Sequence, residues 1–499
     1  MYITNRKDPR QKKVLVDDFI LKRDHIVRLS RKMEWQPIYS DAYQLINGQY
    51  RRYHLTLWQF FFLFFFSYKF QVKMPNGMVW YPFATRKRNL SFAYRSDNGF
   101  GPVQRHIQAA ATIAAIAVNI IKPFHRPQLV FEKLSERAQE SGFAYFNYVR
   151  SHYPKEKLYF LIKQGAPDFE KIKNSRHIVL YGSFRHFYLL HRAVLFVSSE
   201  TPGHAYFWRE NMGITANVVR TKPYIFLQHG VLGFKKLDNI FYGDRLTAPT
   251  LLITSSQFEH NIVTTKLGYD PHRVPVTGLA RWDMIDLEQE RLSKRDKILL
   301  FYTWRPWLDD VSEDKFRESA YFQHLNNILI SFNDSMLDKK IILMMHPKVR
   351  ATMDKKLLSQ VKLWTNEDGP LNELLTTVAA IITDYSSLSW EAYYREIPVI
   401  FDMFDQERYA SEVGSYIDLD RIPFGNKLTS QNSVQVLIQK IQNNNYHLTD
   451  IELEQKSKYF AFEDRHSSER IHKAIQNVDL TLIRRAKQKA MLSAIKRMI

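Results

Sequence analysis

Five short polar clusters, each close behind an apolar run, hold the residues of this chain whose types could do chemistry. Gln228-His229-Gly230 follows residues 224–227, Thr303-Trp304-Arg305 follows 298–302, and His346-Pro347 follows 341–345. Thr383-Asp384-Tyr385-Ser386-Ser387 closes the run 379–383, and Asp405 stands just beyond 399–401. Apolar runs that stop at polar clusters and give way to helical patterns read as buried parallel strands. Open α/β sheets bind ligands beyond the carboxyl ends of such strands, and the amides of a helix starting there suit phosphate. Histidine titrates near neutrality, so His229 and His346 are candidates for proton transfer. Arg305 can grip a diphosphate with two parallel hydrogen bonds. Ser386 and Ser387 offer hydroxyls and amides, with Glu391 near the same helical face. Thr303 and Thr383 flank these groups, and Asp405 can accept ribose or polyol hydroxyls. Gly230 permits close approach of a ligand, and Lys235 and Lys236 on the same loop can neutralise phosphate. Each residue also has an ordinary use, as a turn histidine, a surface ion pair or a helix cap. Their recurrence at strand ends favours a site for a nucleotide diphosphate.

The elements that must position these residues follow from the pattern. The chain has 499 residues, 45% hydrophobic and 14% aromatic, enough for two or three domains with large cores. From residue 128 onward apolar runs alternate with helical segments. Strands are expected at 129–131, 158–162, 177–181, 196–199 and 224–227, with helices at 135–149 and 184–195. A charged stretch, 287–296, reads as a linker. A second series follows, with strands at 298–302, 341–345, 379–383 and 399–401, a helix near 321–332, and helices from Ser433 onward. This predicts an α/β protein of GT-B-like architecture, two doubly wound Rossmann-like domains facing a cleft. Residues 50–100 are aromatic and β-branched and read as strands of a small β-rich accessory module, followed by a helix over 102–121. The expected domains are 1–126 (accessory), 127–285 (acceptor side), 286–475 (donor side) and a basic amphipathic helix, 476–499.

Composition narrows the class. There is no cysteine, which excludes disulfides and thiolate chemistry and suits a reducing compartment. Gly is scarce at 17, against a glycine-rich nucleotide loop. The formal net charge of +20 suits nucleic acid, anionic membranes or anionic substrates alike. No nucleic-acid-binding signature accompanies it, and the basic residues are spread along the chain. Residues 1–10 show no signal-peptide pattern, and no apolar run reaches the roughly 18 residues that span a bilayer. The longest, 57–66 and 109–121, read as buried strand or core helix. In the tail, Leu480, Ile483, Met491, Leu492, Ile495, Met498 and Ile499 share one broad helical face, and Arg485, Lys489 and Lys496 lie opposite. That face suits an anionic membrane surface.

Taken together, the clusters resemble the CDP-glycerol glycerophosphotransferases of teichoic acid synthesis, a family of primases and polymerases. The resemblance rests on Phe226–Gly230, on Tyr302-Thr303-Trp304-Arg305, on Met344-Met345-His346-Pro347, on Thr383–Glu391 and on Pro398–Asp405. Phe131-Glu132-Lys133, residues 142–148, residues 278–283 and Ser467-Ser468-Glu469-Arg470 extend it across roughly 128–474. Gln228 stands where the family has tryptophan, Met344 where it has arginine, and Glu391 near its usual aspartate. The resemblance implies transfer of glycerol phosphate from CDP-glycerol, or ribitol phosphate from CDP-ribitol, to a hydroxyl of a lipid-linked or polymeric acceptor, with release of CMP. It implies that His229 deprotonates the acceptor and that His346 acts at the diphosphate. Ser386 and Ser387, helped by Arg305, hold the donor phosphates; Thr303, Thr383, Glu391 and Asp405 complete the donor site. No metal-ligand cluster is evident, so no metal or other cofactor is expected. The expected location is cytoplasmic, peripheral on the inner face of the cell membrane. A GT-B glycosyltransferase using a nucleotide sugar for a surface polysaccharide is the alternative.

Overall fold

A computed structural model describes residues 1–5, 14–15, 20–32, 39–85, 87–122, 126–207, 210, 213–237, 241–309, 311–333, 340–345, 349, 361–365, 368–429 and 433–479. The chain forms two compact units, one of Met1–Ala138 with His152–Tyr224, the other of Gln139–Ser151 with Ile225–Val478.

The first unit opens with an antiparallel sheet of β1 (Tyr2–Asn5), β2 (Val14–Leu15), β3 (Tyr39–Ile46), β4 (Gln49–Arg52), β5 (Val72–Lys73), β6 (Met78–Ala84) and β7 (Leu90–Ser96). Its order is β2-β1-β3-β7-β6-β5, with β4 on β3. Asn47 and Gly48 both take positive φ, 49° and 74°, which closes the β3–β4 hairpin with the twist its strands need. Leu57–Phe66, expected as buried strand or core helix, is a helix, and the correction concerns its burial, since only Phe60 and Leu63 are buried. Its aromatic side chains favour strands, but Thr56 and Gln59 form a reciprocal cap. Gln59 N–H donates to Thr56 Oγ1 (3.2 Å) and Thr56 N–H to Gln59 Oε1 (3.0 Å). The helix Pro102–Ile121 has the expected limits, with Pro at its first position. Parallel strands β8 (Gln128–Phe131), β9 (Leu158–Ile162), β10 (Ile178–Leu180) and β11 (Leu195–Ser198) follow, in the order β10-β9-β8-β11.

In the second unit β12 (Tyr224–Phe226) pairs in parallel with β13 (Leu251–Leu252). A fully parallel sheet comprises β14 (Lys297–Phe301), β15 (Lys340–Met344), β16 (Lys362–Leu363), β17 (Val378–Thr383), β18 (Val399–Phe401) and β19 (Asn426–Lys427), ordered β16-β15-β14-β17-β18-β19. Along β14, Ile298 and Leu300 enter one core with Tyr321 and Leu325, while Leu299 enters another with Trp390 and Tyr393. Both faces are therefore buried, which explains why these strands read as unbroken apolar runs. The fold is α/β and GT-B-like, with an antiparallel N-terminal module. Among the described residues no helix is long and apolar enough to cross a membrane.

The compact units divide at other points than the expected domains, for a physical reason. Residues 228–237 and the helix Gln257–Leu267 belong to the second unit: Phe258 lies 5.9 Å from Trp390 and 5.1 Å from Tyr459, ring to ring. The stretch 287–296 is also not a free linker. It carries a helix, Leu287–Arg291, and Glu290 and Arg291 bind Arg395 and Glu396.

Candidate functional site

Because β14, β17 and β18 run in parallel, their carboxyl ends share one edge of the sheet, and the loops after them meet there. Asp384, fully buried, accepts hydrogen bonds from Thr303 N–H (3.0 Å), Thr303 Oγ1 (2.9 Å) and Arg305 Nη1 (2.6 Å). Arg305 turns its other edge to Asp405, donating from Nε (2.7 Å) and Nη2 (3.0 Å). Tyr385 and Tyr409 stack at 3.6 Å beside it, with the guanidinium 5.2 Å and 5.6 Å from their ring centres. Burial alone would lower the arginine's pKa; Asp384 and Asp405 more than offset this and hold it above its ordinary value.

These contacts correct several readings from sequence. Arg305 has 0% exposure and is saturated by two carboxylates, so it positions loops rather than gripping a diphosphate. Asp405 is the other half of that pair and also accepts from Tyr385 OH (3.2 Å). Thr303 ties Asp384 to β14. Thr383 is buried and donates to the Phe301 carbonyl (2.6 Å). Glu391 lies in a buried network, accepting from Arg281 Nη2 (2.6 Å), Trp282 Nε1 (3.0 Å) and Arg395 Nε (3.4 Å). Burial would raise its pKa, but Arg281 and Arg395 hold it below the usual value. The arginines draw the Glu391 carboxylate into the core, while Ser387 stays exposed.

Ser386 and Ser387 do open a helix, Leu388–Tyr394. Ser386 Oγ accepts from Leu388 N–H (3.1 Å), whereas Ser387 is exposed. The loop after β12 comes to the same place. A Cβ on Gly230 would stand 2.8 Å from Ser387 Oγ, and one on Gly233 would stand 2.9 Å from the Trp390 ring, so only glycine lets the loop lie this close. His229 is exposed, its ring 6.4 Å from Phe226 and nearly perpendicular to it. Lys235 and Lys236 are exposed, the latter with its stem against Gly414. The structure thus brings Gly230 to Ser387, and gathers Thr303, Arg305 and Asp405 around Asp384. His346 lies outside the described residues. Among the described residues no three His, Asp or Glu side chains gather as metal ligands.

Three residues that matter, Asp384, Gln228 and Glu259, were not singled out as site residues from sequence. Gln228, noted only as a departure from a family pattern, takes a left-handed backbone (φ 59°) immediately before His229. Its Nε2 donates to Ile253 O (2.7 Å) and Glu259 Oε1 (2.8 Å). Glu259 also accepts from Leu232 N–H (2.7 Å) and Ser255 N–H (2.6 Å), so one buried carboxylate holds both shoulders of the His229-Gly230 turn. Ser256 three residues before Glu259 signals a helix start; nothing local signals that the carboxylate turns inward.

The profile of the CDP-Glycerol:Poly(glycerophosphate) glycerophosphotransferase family matches residues 114–477. The chain belongs to that family. The minor teichoic acid biosynthesis protein GgaB of Bacillus subtilis (strain 168) is 24% identical over 392 residues, 74% of this chain and 42% of GgaB. The chain therefore spans about two fifths of the length of that relative. A structure of the wall teichoic acid polymerase TagF soaked with CDPG superposes with a TM-score of 0.51 at 17% identity, covering 77% of this chain and 98% of that one. Another TagF structure gives 0.50, with the same identity and coverage. For a family member, the arrangement means that the His-Gly loop and the Asp-Tyr-Ser-Ser loop form one packed body within the second unit.

Three measurements check these assignments. Arg305→Leu leaves Asp384 and Asp405 buried without a counter-charge and is expected to cost about 3–5 kcal/mol in denaturant unfolding; unchanged stability would restore a ligand role. Gly230→Ala is expected to cost about 1–3 kcal/mol by overpacking, and adding Ser387→Gly to restore most of it. Burial pushes the Glu259 carboxyl up to about 7, against the hydrogen bonds from Leu232, Ser255 and Gln228. A raised carboxyl pKa contributes stability below the unfolded value, near 4.5, which is lost as pH rises through about 7. The stability of wild type relative to Glu259→Gln is therefore expected to fall between pH 4.5 and 8, by on the order of 3 kcal/mol.

Proposed function

We propose that the chain transfers glycerol phosphate or ribitol phosphate from a CDP-alditol to a hydroxyl of a polymeric or lipid-linked acceptor, releasing CMP. The observation that carries the reading is the family match, which runs through every described loop of the candidate site, from Gln228 to Asp405. The names of GgaB and TagF, and the CDPG soak of TagF, support the substrate class.

In this reading His229, exposed beside Gly230, takes the proton of the acceptor hydroxyl. The acceptor oxygen forms a bond to the phosphorus that carries the alditol, and the bridging P–O bond to CMP breaks. Phosphoryl transfer depends on positioning and charge stabilisation more than on covalent help. Ser387, exposed at the start of Leu388–Tyr394, meets the donor phosphates with its hydroxyl. Lys235 and Lys236, on the loop of His229, supply positive charge, and the role of His346 at the diphosphate rests on the family resemblance alone. The buried Arg305 acts through the loops it ties. A lipid-linked acceptor would place the reaction at the inner face of the cell membrane. The tail residues first read as the membrane contact, 480–499, lie outside the described residues.

Incubation with CDP-glycerol, CDP-ribitol and UDP-sugars, followed by identification of the released nucleotide, tests the reading. CMP from a CDP-alditol is the expected product, and UDP release in its place overturns it. His229→Ala is expected to lower kcat/KM by about 10²–10⁴-fold with unchanged thermal unfolding.

A further inference from the structure

The Leu57–Phe66 helix precedes the family match, and no step of the proposed reaction uses it. Only Phe60 and Leu63 are buried. Leu57, Trp58, Phe61 and Phe65 are 48%, 65%, 47% and 44% exposed, and Phe66 is 38% exposed. At 100° per residue the first four fall within about 100° of arc, so they form one ridge rather than scattered exposure. Trp58 stacks on Phe62 at 4.9 Å, and Phe64 meets Phe65 edge-on at 4.9 Å, so the ridge is already ordered. A contiguous aromatic ridge of this kind marks a surface that is covered in use.

Charge identifies the cover. Residues 42–131 hold 11 Lys or Arg and one acidic residue, Asp97. An exposed cation stands beside this face: Lys69 Nζ lies 5.0 Å from the Phe66 ring centre. A second copy of the chain would set this charge against itself. An anionic bilayer accepts both parts at once. Aromatic rings, tryptophan above all, settle at the headgroup boundary, and Lys and Arg pair with lipid phosphates.

We propose that the Leu57–Phe66 helix is a membrane-docking element that inserts its Leu57–Trp58–Phe61–Phe65 ridge into the headgroup region of an anionic bilayer. This deepens the reading of a lipid-linked acceptor, but vesicle binding itself is read without donor or acceptor. The full chain is sedimented with phosphatidylglycerol-containing vesicles and with pure phosphatidylcholine vesicles. Wild type is expected to bind the anionic vesicles, less at high salt. The variant Trp58→Gln/Phe61→Gln/Phe65→Gln is expected to lose at least about tenfold in partitioning, with unchanged thermal unfolding and unchanged CMP release on a soluble acceptor. A second variant, Ile113→Gln/Ile116→Gln/Ile120→Gln, alters exposed positions of the Pro102–Ile121 helix and is expected to bind as wild type does. Should the triple variant unfold, brominated lipid decides: it is expected to quench wild type more than Trp58→Phe. Equal sedimentation of the ridge variant, loss confined to the isoleucine variant, or no binding by wild type overturns the proposal. Loss of CMP release with vesicle binding intact faults the proposed reaction instead.

Discussion

A single guanidinium joins the carboxyl ends of three parallel strands. Arg305 stands after β14, Asp384 after β17 and Asp405 after β18, and the two carboxylates bind opposite edges of the arginine. A charge so far from water is tolerable only when its donors are satisfied, and the planar fork fixes the angle as well as the distance. Asp384 also gathers the backbone and hydroxyl of Thr303. The three loops therefore hold one another, and the Asp-Tyr-Ser-Ser segment is anchored by its first residue. Its last serine is left at the surface.

The second constraint is steric. Gly230 and Gly233 let the loop after β12 lie against Ser387 and Trp390 at distances that no other residue permits. Glu259 then fixes that loop from behind, through Gln228 on one side of the turn and Leu232 on the other. His229 is thus one residue from a backbone pinned to the serine loop. The candidate base and the candidate phosphate loop belong to one packed body, so their spacing is a property of the fold. A left-handed residue beside the candidate base is the kind of local strain that surrounding structure must hold in place. Here Gln228 is held by its own side chain.

The amino-acid sequence by itself determined the parallel strands, their carboxyl ends and the family. Strands buried on both faces leave unbroken apolar runs, as at 378–383, and a polar cluster must follow where the chain leaves the sheet. It determined Pro102–Ile121 as well, because helical pattern and an N-terminal proline are local signals. What only the tertiary structure decided was direction and partnership. Arg305, Glu391 and Asp405 were expected to meet a ligand; the structure pairs Arg305 with Asp384 and Asp405, and Glu391 with Arg281, partners about 80–110 residues apart. Leu57–Phe66 became a helix because Thr56 and Gln59 cap it, and its aromatic side chains stayed outside because the sheet beneath can cover only one face. Periodicity records which residues share a face. Which face meets water, an ion pair or a ligand depends on segments distant in the chain, and no local pattern carries that information.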